Sequence, residues 1–274
     1  MKTVACIIAR TNSKRLPRKV LKKINNKCMI ELLIERIKKA KNIDDIYLCT
    51  SVDIEDKILV DIANKNNIKS YQGSRESVID RMLDVAKIEK ANNVIRITGD
   101  NLFTDFIYLD EMINEHNKNQ FDYTRTEFLS IGVTAEIINV IALKDCYNII
   151  DPHKSEYLFL YMFNPEKYKC GVLIPPKNQQ NEFSCLTIDT PEDWERTLYI
   201  YNNISKSIIS YLDILNLNEK TDIPFFNINK EMLIKLPDNE KITYGDFREE
   251  IKKKIDKANK IYLEEDFYLK IKEY

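Results

Sequence analysis

The stretch Val4-Ala5-Cys6-Ile7-Ile8-Ala9-Arg10-Thr11-Asn12-Ser13-Lys14-Arg15-Leu16-Pro17-Arg18-Lys19 decides how the rest of the chain is read. Its first six residues are apolar without interruption, which suits a strand buried on both faces of a parallel sheet. Six residues are too few for the apolar core of a signal peptide, and the run stops at Arg10. Five cations then fall within the ten residues from Arg10 to Lys19. A basic loop at the carboxyl end of a buried strand lies where open parallel sheets bind their ligands. Arg10, Ser13, Arg15 and Lys19 can surround a triphosphate there, the arginines as bidentate forks and the lysine as a point charge.

The same texture continues outward from that strand. Asp45–Thr50, Lys69–Gln72 and Val94–Thr98 also read as strands, and between them Met29–Lys41, Ile54–Lys65, Val78–Lys90 and Ile107–Asn117 carry apolar residues at helical spacing. In the first of these helices Ile30, Leu33, Ile34, Ile37 and Ala40 form one stripe. Alternation of this kind requires right-handed crossovers, hence an α/β fold with a mainly parallel central sheet flanked by helices. Farther on, Phe121–Thr126, Thr134–Val140, Gly171–Ile174 and Cys185–Ile188 are expected as strands, and Ala142–Ile150 and Ser155–Met162 as helices. Asp105 is placed to cap the helix after it, and Thr190-Pro191-Glu192-Asp193 supplies a cap, a first-turn proline and early acids. Beyond about Ser205 the texture changes, so the chain divides into a catalytic domain, 1–205, and a mostly helical extension, 206–274. The lysine-rich run Tyr244–Tyr262 in that extension reads as a helix with a solvated face, and the extension as an arm, a lid or a dimer element.

Composition narrows the possible functions. At 274 residues, 44% hydrophobic and 31% charged, the chain can bury a sizeable core. A net charge of −1 gives no bulk attraction to nucleic acid or an anionic membrane. No apolar run approaches the length of ~18 residues that a transmembrane helix needs. The six cysteines are dispersed without a CxxC pair, and only two histidines are present, which argues against zinc. Cys6, Cys49 and Cys185 lie in apolar runs as reduced core thiols do, which points to the cytoplasm. Only five glycines occur and no Gly-rich phosphate loop, so nucleotide phosphates would have to be held by side-chain cations.

Two carboxylates complete the pattern. Arg96-Ile97-Thr98-Gly99-Asp100 ends a buried strand in an acid at the same rim as the basic loop, and Leu186-Thr187-Ile188-Asp189 runs into a second acidic turn. Phosphoryl chemistry calls for a divalent cation there, and magnesium is usually held by one or two carboxylates together with substrate phosphates.

These motifs resemble the signature of the cytidylyltransferases that make CMP-linked acidic sugars, the Kdo and sialic acid synthetases, and are closest to their spore-coat polysaccharide protein F branch. The matching residues are Arg10, Ser13, Arg15-Leu16-Pro17 and Lys19, with Arg18 where the family usually has glycine. Tyr47-Leu48-Cys49-Thr50-Ser51 with Asp53, Glu55 and Asp56, then Gln72-Gly73-Ser74 and Val78-Ile79-Asp80-Arg81, continue the match. Asp189-Thr190-Pro191-Glu192-Asp193 repeats the family's acidic block almost letter for letter. The resemblance implies a Rossmann-like nucleotide-diphospho-sugar transferase fold and transfer of CMP from CTP to a small acidic sugar, with pyrophosphate released. It further implies a cytoplasmic homodimer serving surface polysaccharide biosynthesis.

By the same resemblance Ala9, Arg10, Ser13, Arg15 and Lys19 bind the nucleotide, and Ser74, Asp80 and Arg81 lie near its base and ribose. Asp100 and Asp189 are the implied ligands of Mg²⁺, and Arg10, Arg15, Lys19 and Asp100 the implied catalytic set. Gly132-Val133-Thr134-Ala135-Glu136 and Ser155-Glu156-Tyr157 resemble segments facing the acceptor, which makes Arg96, Tyr123, Arg125, Glu136 and Lys154 the acceptor-binding candidates. His116, near a polar helix end, is expected to be inert. Two other readings stand beside this one: a glycosyltransferase of the same fold, for which no Asp-x-Asp motif follows a strand, and a non-catalytic nucleotide-binding protein.

Overall fold

The opening apolar run forms β1 (Thr3–Ile8), and every residue of it but the last is buried. In the computed structural model, which describes residues 1–268, the chain continues through a short ribbon of β2 (Lys23–Ile24) and β3 (Lys27–Cys28), then α1 (Met29–Ile37), β4 (Asp45–Ser51), α2 (Lys57–Lys65) and β5 (Lys69–Gly73). Next come α3 (Val78–Glu89), β6 (Asn93–Thr98), α4 (Phe106–Asn119), β7 (Tyr123–Thr126), β8 (Glu136–Asn139), α5 (Val140–Tyr147), α6 (Leu158–Met162) and β9 (Cys170–Ile174). The last part holds α7 (Pro191–Asn203), α8 (Tyr211–Lys220), a ribbon of β10 (Leu233–Lys235) and β11 (Lys241–Thr243), α9 (Tyr244–Lys257) and β12 (Asn259–Tyr262).

Eight strands form one sheet in the order β12-β9-β7-β8-β6-β1-β4-β5. Only β8 runs against its neighbours, β6 and β7; every other pairing is parallel. The Rossmann-like α/β architecture is therefore as expected. Alternation along β1 sorts its side chains between two cores. Ala5 and Ile7 meet the Leu33, Ile34 and Ile37 stripe of α1, whereas Val4 and Cys6 meet Ile79, Met82 and Val85 of α3. Those α1 side chains are fully buried, and truncating one such residue costs about 2–5 kcal/mol.

Three expectations are corrected. First, α1 ends at Ile37 rather than Lys41, because Asp110 accepts the Lys41 and Asn42 N–H groups and turns the chain away. Second, Cys185–Ile188 is not a strand. Its N–H groups go to different partners (Cys185 to Phe226 O, Leu186 to Ile131 O, Ile188 to Asp100 O), so no ladder forms, although Leu186 and Ile188 are buried. Third, Tyr244–Tyr262 is not one helix. The chain becomes extended at Ala258, and β12 joins the edge of the central sheet parallel to β9. The residues after 205 thus contribute α8, α9 and a strand of the sheet itself. Among the described residues no helix is long and apolar enough to cross a membrane.

Candidate active site

Strand register brings the two leading motifs together. Ile8 and Thr98 are partners at the ends of β1 and β6, Gly99 N–H donates to Ile8 O at 2.8 Å, and Ala9 N–H donates to Cys49 O at 3.1 Å. The basic loop and the Asp100 turn therefore leave the sheet side by side. Glycine is needed at position 99, since a Cβ there would lie 2.8 Å from the Ala9 Cβ and 3.1 Å from Ile8 O. A third segment arrives through Ile188 N–H, which donates to Asp100 O at 3.0 Å. Asp193 accepts the N–H groups of Asp189 and Thr190, both at 2.9 Å, and forms a capping box with Thr190 at the start of α7. Behind it the buried Arg196 donates to Asp193 Oδ1, Thr187 O and Phe225 O. Burial pushes the Asp193 carboxyl up, but Arg196 and the two N–H groups outweigh it and hold the group below its ordinary value.

At the rim Lys19 Nζ donates to Asp100 Oδ2 at 2.7 Å and to Asp189 Oδ1 at 2.8 Å. Arg15 NH2 lies 2.9 Å from Asp189 Oδ2. Burial acts to lower the Lys19 pKa, yet the two aspartates prevail and it is raised, so the ammonium stays charged. These groups wall a cleft of about 560 Å³ together with Ala9, Arg10, Ser13, Lys14, Arg81, Arg96, Thr98, Glu156 and Tyr157. Arg81 is 1% exposed, and its Nε and NH1 have no hydrogen-bond partner. Burial, helped by the nearby Arg10 charge, pulls its pKa down, and an anionic or carbonyl-bearing ligand in the cleft would satisfy those donors.

The structure brings Ala9, Arg10, Ser13, Arg15, Lys19, Arg81, Arg96, Asp100 and Asp189 to one cleft. The remaining candidates lie elsewhere. Ser74 accepts from Ser77 N–H within its own turn, and Asp80 faces the Tyr147 hydroxyl. Tyr123 and Glu136 sit behind the wall: Tyr123 OH and Arg96 NH1 both donate to Glu136, at 2.5 and 2.6 Å, and so fix the Arg96 guanidinium. Arg125 pairs with Glu127 across the ring of Phe159. Lys154 reaches out to Asp238 at the surface. His116 is buried between Thr124 and Asn93, away from the cleft.

Two residues that the sequence motifs contain without an assigned role turn out to position the site. Asp56 accepts from Thr11 N–H and Oγ1, both at 2.7 Å, and from Ser51 Oγ at 2.6 Å, anchoring the root of the basic loop to β4. Ser155 Oγ accepts the Val78 and Ile79 N–H groups and so orients the helix that carries Arg81. The motifs do not disclose these roles, because the loop that Asp56 holds and the helix that Ser155 holds are 45 and 77 residues away.

Asp100 and Asp189 converge on a point that one cation can occupy, as the Lys19 ammonium demonstrates. Their all-oxygen, all-carboxylate character suits a hard divalent ion. No cluster of three or more His, Cys, Asp or Glu occurs among the described residues, so phosphate oxygens and water would complete the coordination.

The chain is similar to known proteins along most of its length. It is 33% identical to an uncharacterised protein of Methanocaldococcus jannaschii, over 85% of this chain and 93% of that one. It is 32% identical to the spore coat polysaccharide biosynthesis protein SpsF of Bacillus subtilis, over 77% of this chain and 93% of that one. A solved cytidylyltransferase from Leptospira borgpetersenii superposes with a TM-score of 0.76 at 27% identity, covering 84% of this chain and 99% of that one. A family model described as cytidylyltransferase matches residues 4–265. The chain is an enzyme of the cytidylyltransferase family.

Proposed function

We propose that the enzyme transfers CMP from CTP to a small acidic sugar, releasing pyrophosphate, in the cleft between the basic loop and the two aspartates. One observation carries this reading: Arg15 and Lys19 converge with Asp100 and Asp189 within 2.9 Å contacts at the carboxyl ends of β1 and β6. An oxygen of the acceptor attacks the α-phosphorus, the bond to the β-phosphate breaks, and pyrophosphate departs in line. Arg10, Arg15 and Lys19 orient the triphosphate and offset the charge on it. Asp100 and Asp189 would hold a magnesium ion, which would supply Lewis-acid neutralisation of the phosphates and lower the acceptor hydroxyl's pKa. Arg81 presents its free donors to the base or ribose. Arg96, held by Glu136 and Tyr123, forms the acceptor side with Glu156 and Tyr157.

The basic loop favours a triphosphate over a nucleotide-diphosphate sugar. Pyrophosphate release assayed with each of the four NTPs, Mg²⁺ and a panel of sugar acids tests the proposal. Release is expected with CTP and a matching acid, and no release with any combination would overturn it.

We further infer a homodimeric cytoplasmic enzyme of surface polysaccharide biosynthesis, in which residues 206–274 have a distinct role as lid or dimer element. Sizing chromatography of the full chain tests the dimer. The Lys154–Asp238 pair, which joins the cleft-side turn to the extension, supports the lid.

A further inference from the structure

The geometry points to Lys19 as a gate on the metal site: the triphosphate has to draw its ammonium off before a divalent cation can take both Asp100 and Asp189. This rests on the proposed nucleotide and metal reading and adds an order of events to it. Lys19 and Arg15 bring two positive charges to two carboxylates, so the cluster is electrically neutral. Both oxygens of Asp189 are engaged, Oδ1 by Lys19 and Oδ2 by Arg15, and Asp100 gives Oδ2 to Lys19. A divalent ion arriving alone therefore meets no net negative charge and has to expel a cation.

The two cations differ in how easily they leave. The Arg15 side chain is 67% exposed and can turn into water, whereas that of Lys19 is 13% exposed. Lys19 is also fixed at the start of a 3-10 turn, Lys19–Leu21, with its N–H donating to Leu16 O and the buried Val20 beside it. Leaving a buried ammonium without a counter-ion is costly, so metal alone does not displace it. A triphosphate removes that obstacle. It offers Lys19 a new anion in the same cleft and frees the carboxylates in one step, while its own oxygens add ligands. Binding of nucleotide and metal is then coupled, and by reciprocity each tightens the other.

The test is Mn²⁺ binding to the intact protein, read by water-proton relaxation enhancement, with and without CTP and without acceptor. Lys19→Met is expected to bind Mn²⁺ without nucleotide at least ~tenfold more tightly than the wild type. Arg15→Met, which also removes one positive charge but from the exposed partner, is expected to shift it by no more than ~threefold. Thermal melts establish that each variant is folded, and Lys19→Gln serves should the methionine variant fail. Equal Mn²⁺ affinity in the Lys19 and Arg15 variants would overturn the gate, as would wild-type binding of Mn²⁺ alone as tight as that of the Lys19 variant. In either case CTP turnover would leave the proposed function standing. If neither wild type nor variant binds Mn²⁺ even with CTP, the metal reading falls and the gate falls with it.

Discussion

Two clusters of basic side chains and carboxylates occur along the same sheet, and they are built to opposite ends. At the β7 side Arg248 NH1 donates to Glu127 at 2.7 Å, and its Nε and NH2 donate to Glu182 at 2.9 and 2.5 Å. Arg125 approaches Glu127 at 2.6 Å, too bent for a hydrogen bond, with its guanidinium 4.0 Å from the Phe159 ring centre. Glu127 and Arg248 are closed off from water, at 2% and 7% side-chain exposure. At the β1–β6 rim Asp100 and Asp189 keep 23% and 29% of their exposure and share cations that a ligand can reach. Identical charge types thus serve as a clasp in one place and as a receptive site in the other. What separates them is access and the availability of another partner, not composition.

The sharpest way to break this contrast is to remove one member from each cluster. Arg248→Met leaves Glu127 and Glu182 without their shared counter-ion, and breaking a buried pair in this way costs about 3–5 kcal/mol. Chemical denaturation is expected to report that loss, while activity per folded molecule stays unchanged; a loss of activity without destabilisation would mean the clasp is part of the site. Asp100→Asn should do the reverse. Turnover is expected to fall by ~10²–10³-fold, as when one preorganised charge partner is removed, with the melting temperature little altered because Lys19 retains Asp189. Steady-state kinetics beside a melt separates the two effects.

His116 sharpens the comparison from the interior. Asn93 Oδ1 accepts at Nε2, so the proton sits there and Nδ1 accepts from the Thr124 hydroxyl, a neutral imidazole. Burial lowers its pKa from 6.5 to about 4. The unfolded chain therefore takes up the proton first, and the sign is destabilising on acidification. Above about pH 6.5 the residue contributes no pH dependence; from there down to about pH 4 it removes up to about 3 kcal/mol. His116→Asn is expected to flatten that part of the stability profile, measured by denaturation at a series of pH values, without moving kinetics at neutral pH. An unchanged slope in the variant would mean that carboxylates elsewhere control acid unfolding.

How legible each cluster was in the sequence follows from the same distinction. The rim could be read because its groups fall in three short motifs, two of them at the ends of β1 and β6, which parallel-strand logic brings together, and the third carried in by Ile188 N–H donating to Asp100 O. The clasp could not, because Arg248 meets Glu127 across 121 residues and nothing near either residue marks the pairing. The acceptor candidates suffered likewise: Tyr123, Glu136 and Arg125 sit at strand positions whose facing depends on β8 being antiparallel, which a run of apolar residues does not encode. Cys185–Ile188 looked like a strand because burial alone makes a segment apolar, with or without a ladder. β12 looked like helix because its four residues, Asn259–Tyr262, are exposed or only half-buried, so no apolar alternation marks them off from the lysine-rich helix before them.

The smallest effect concerns the one position where the basic loop departs from its resemblance. Arg18 stands where glycine is usual, and its φ of 53° and ψ of 32° are the left-handed values that glycine adopts without strain. Holding a β-carbon there costs about 1–2 kcal/mol, and glycine returns about 0.5–1 kcal/mol of that through its freer unfolded state. Arg18→Gly is therefore expected to stabilise the protein slightly, by roughly 0.5–1 kcal/mol, or ~1–3 °C in melting temperature. Charge gives a competing explanation, since Arg18 is exposed, has no partner among the described residues and sits among four other cations. Arg18→Ala separates the two: it removes the same charge but keeps the β-carbon. If alanine stabilises as much as glycine, repulsion within the loop was the strain; if only glycine does, the backbone was, and the arginine is kept against it.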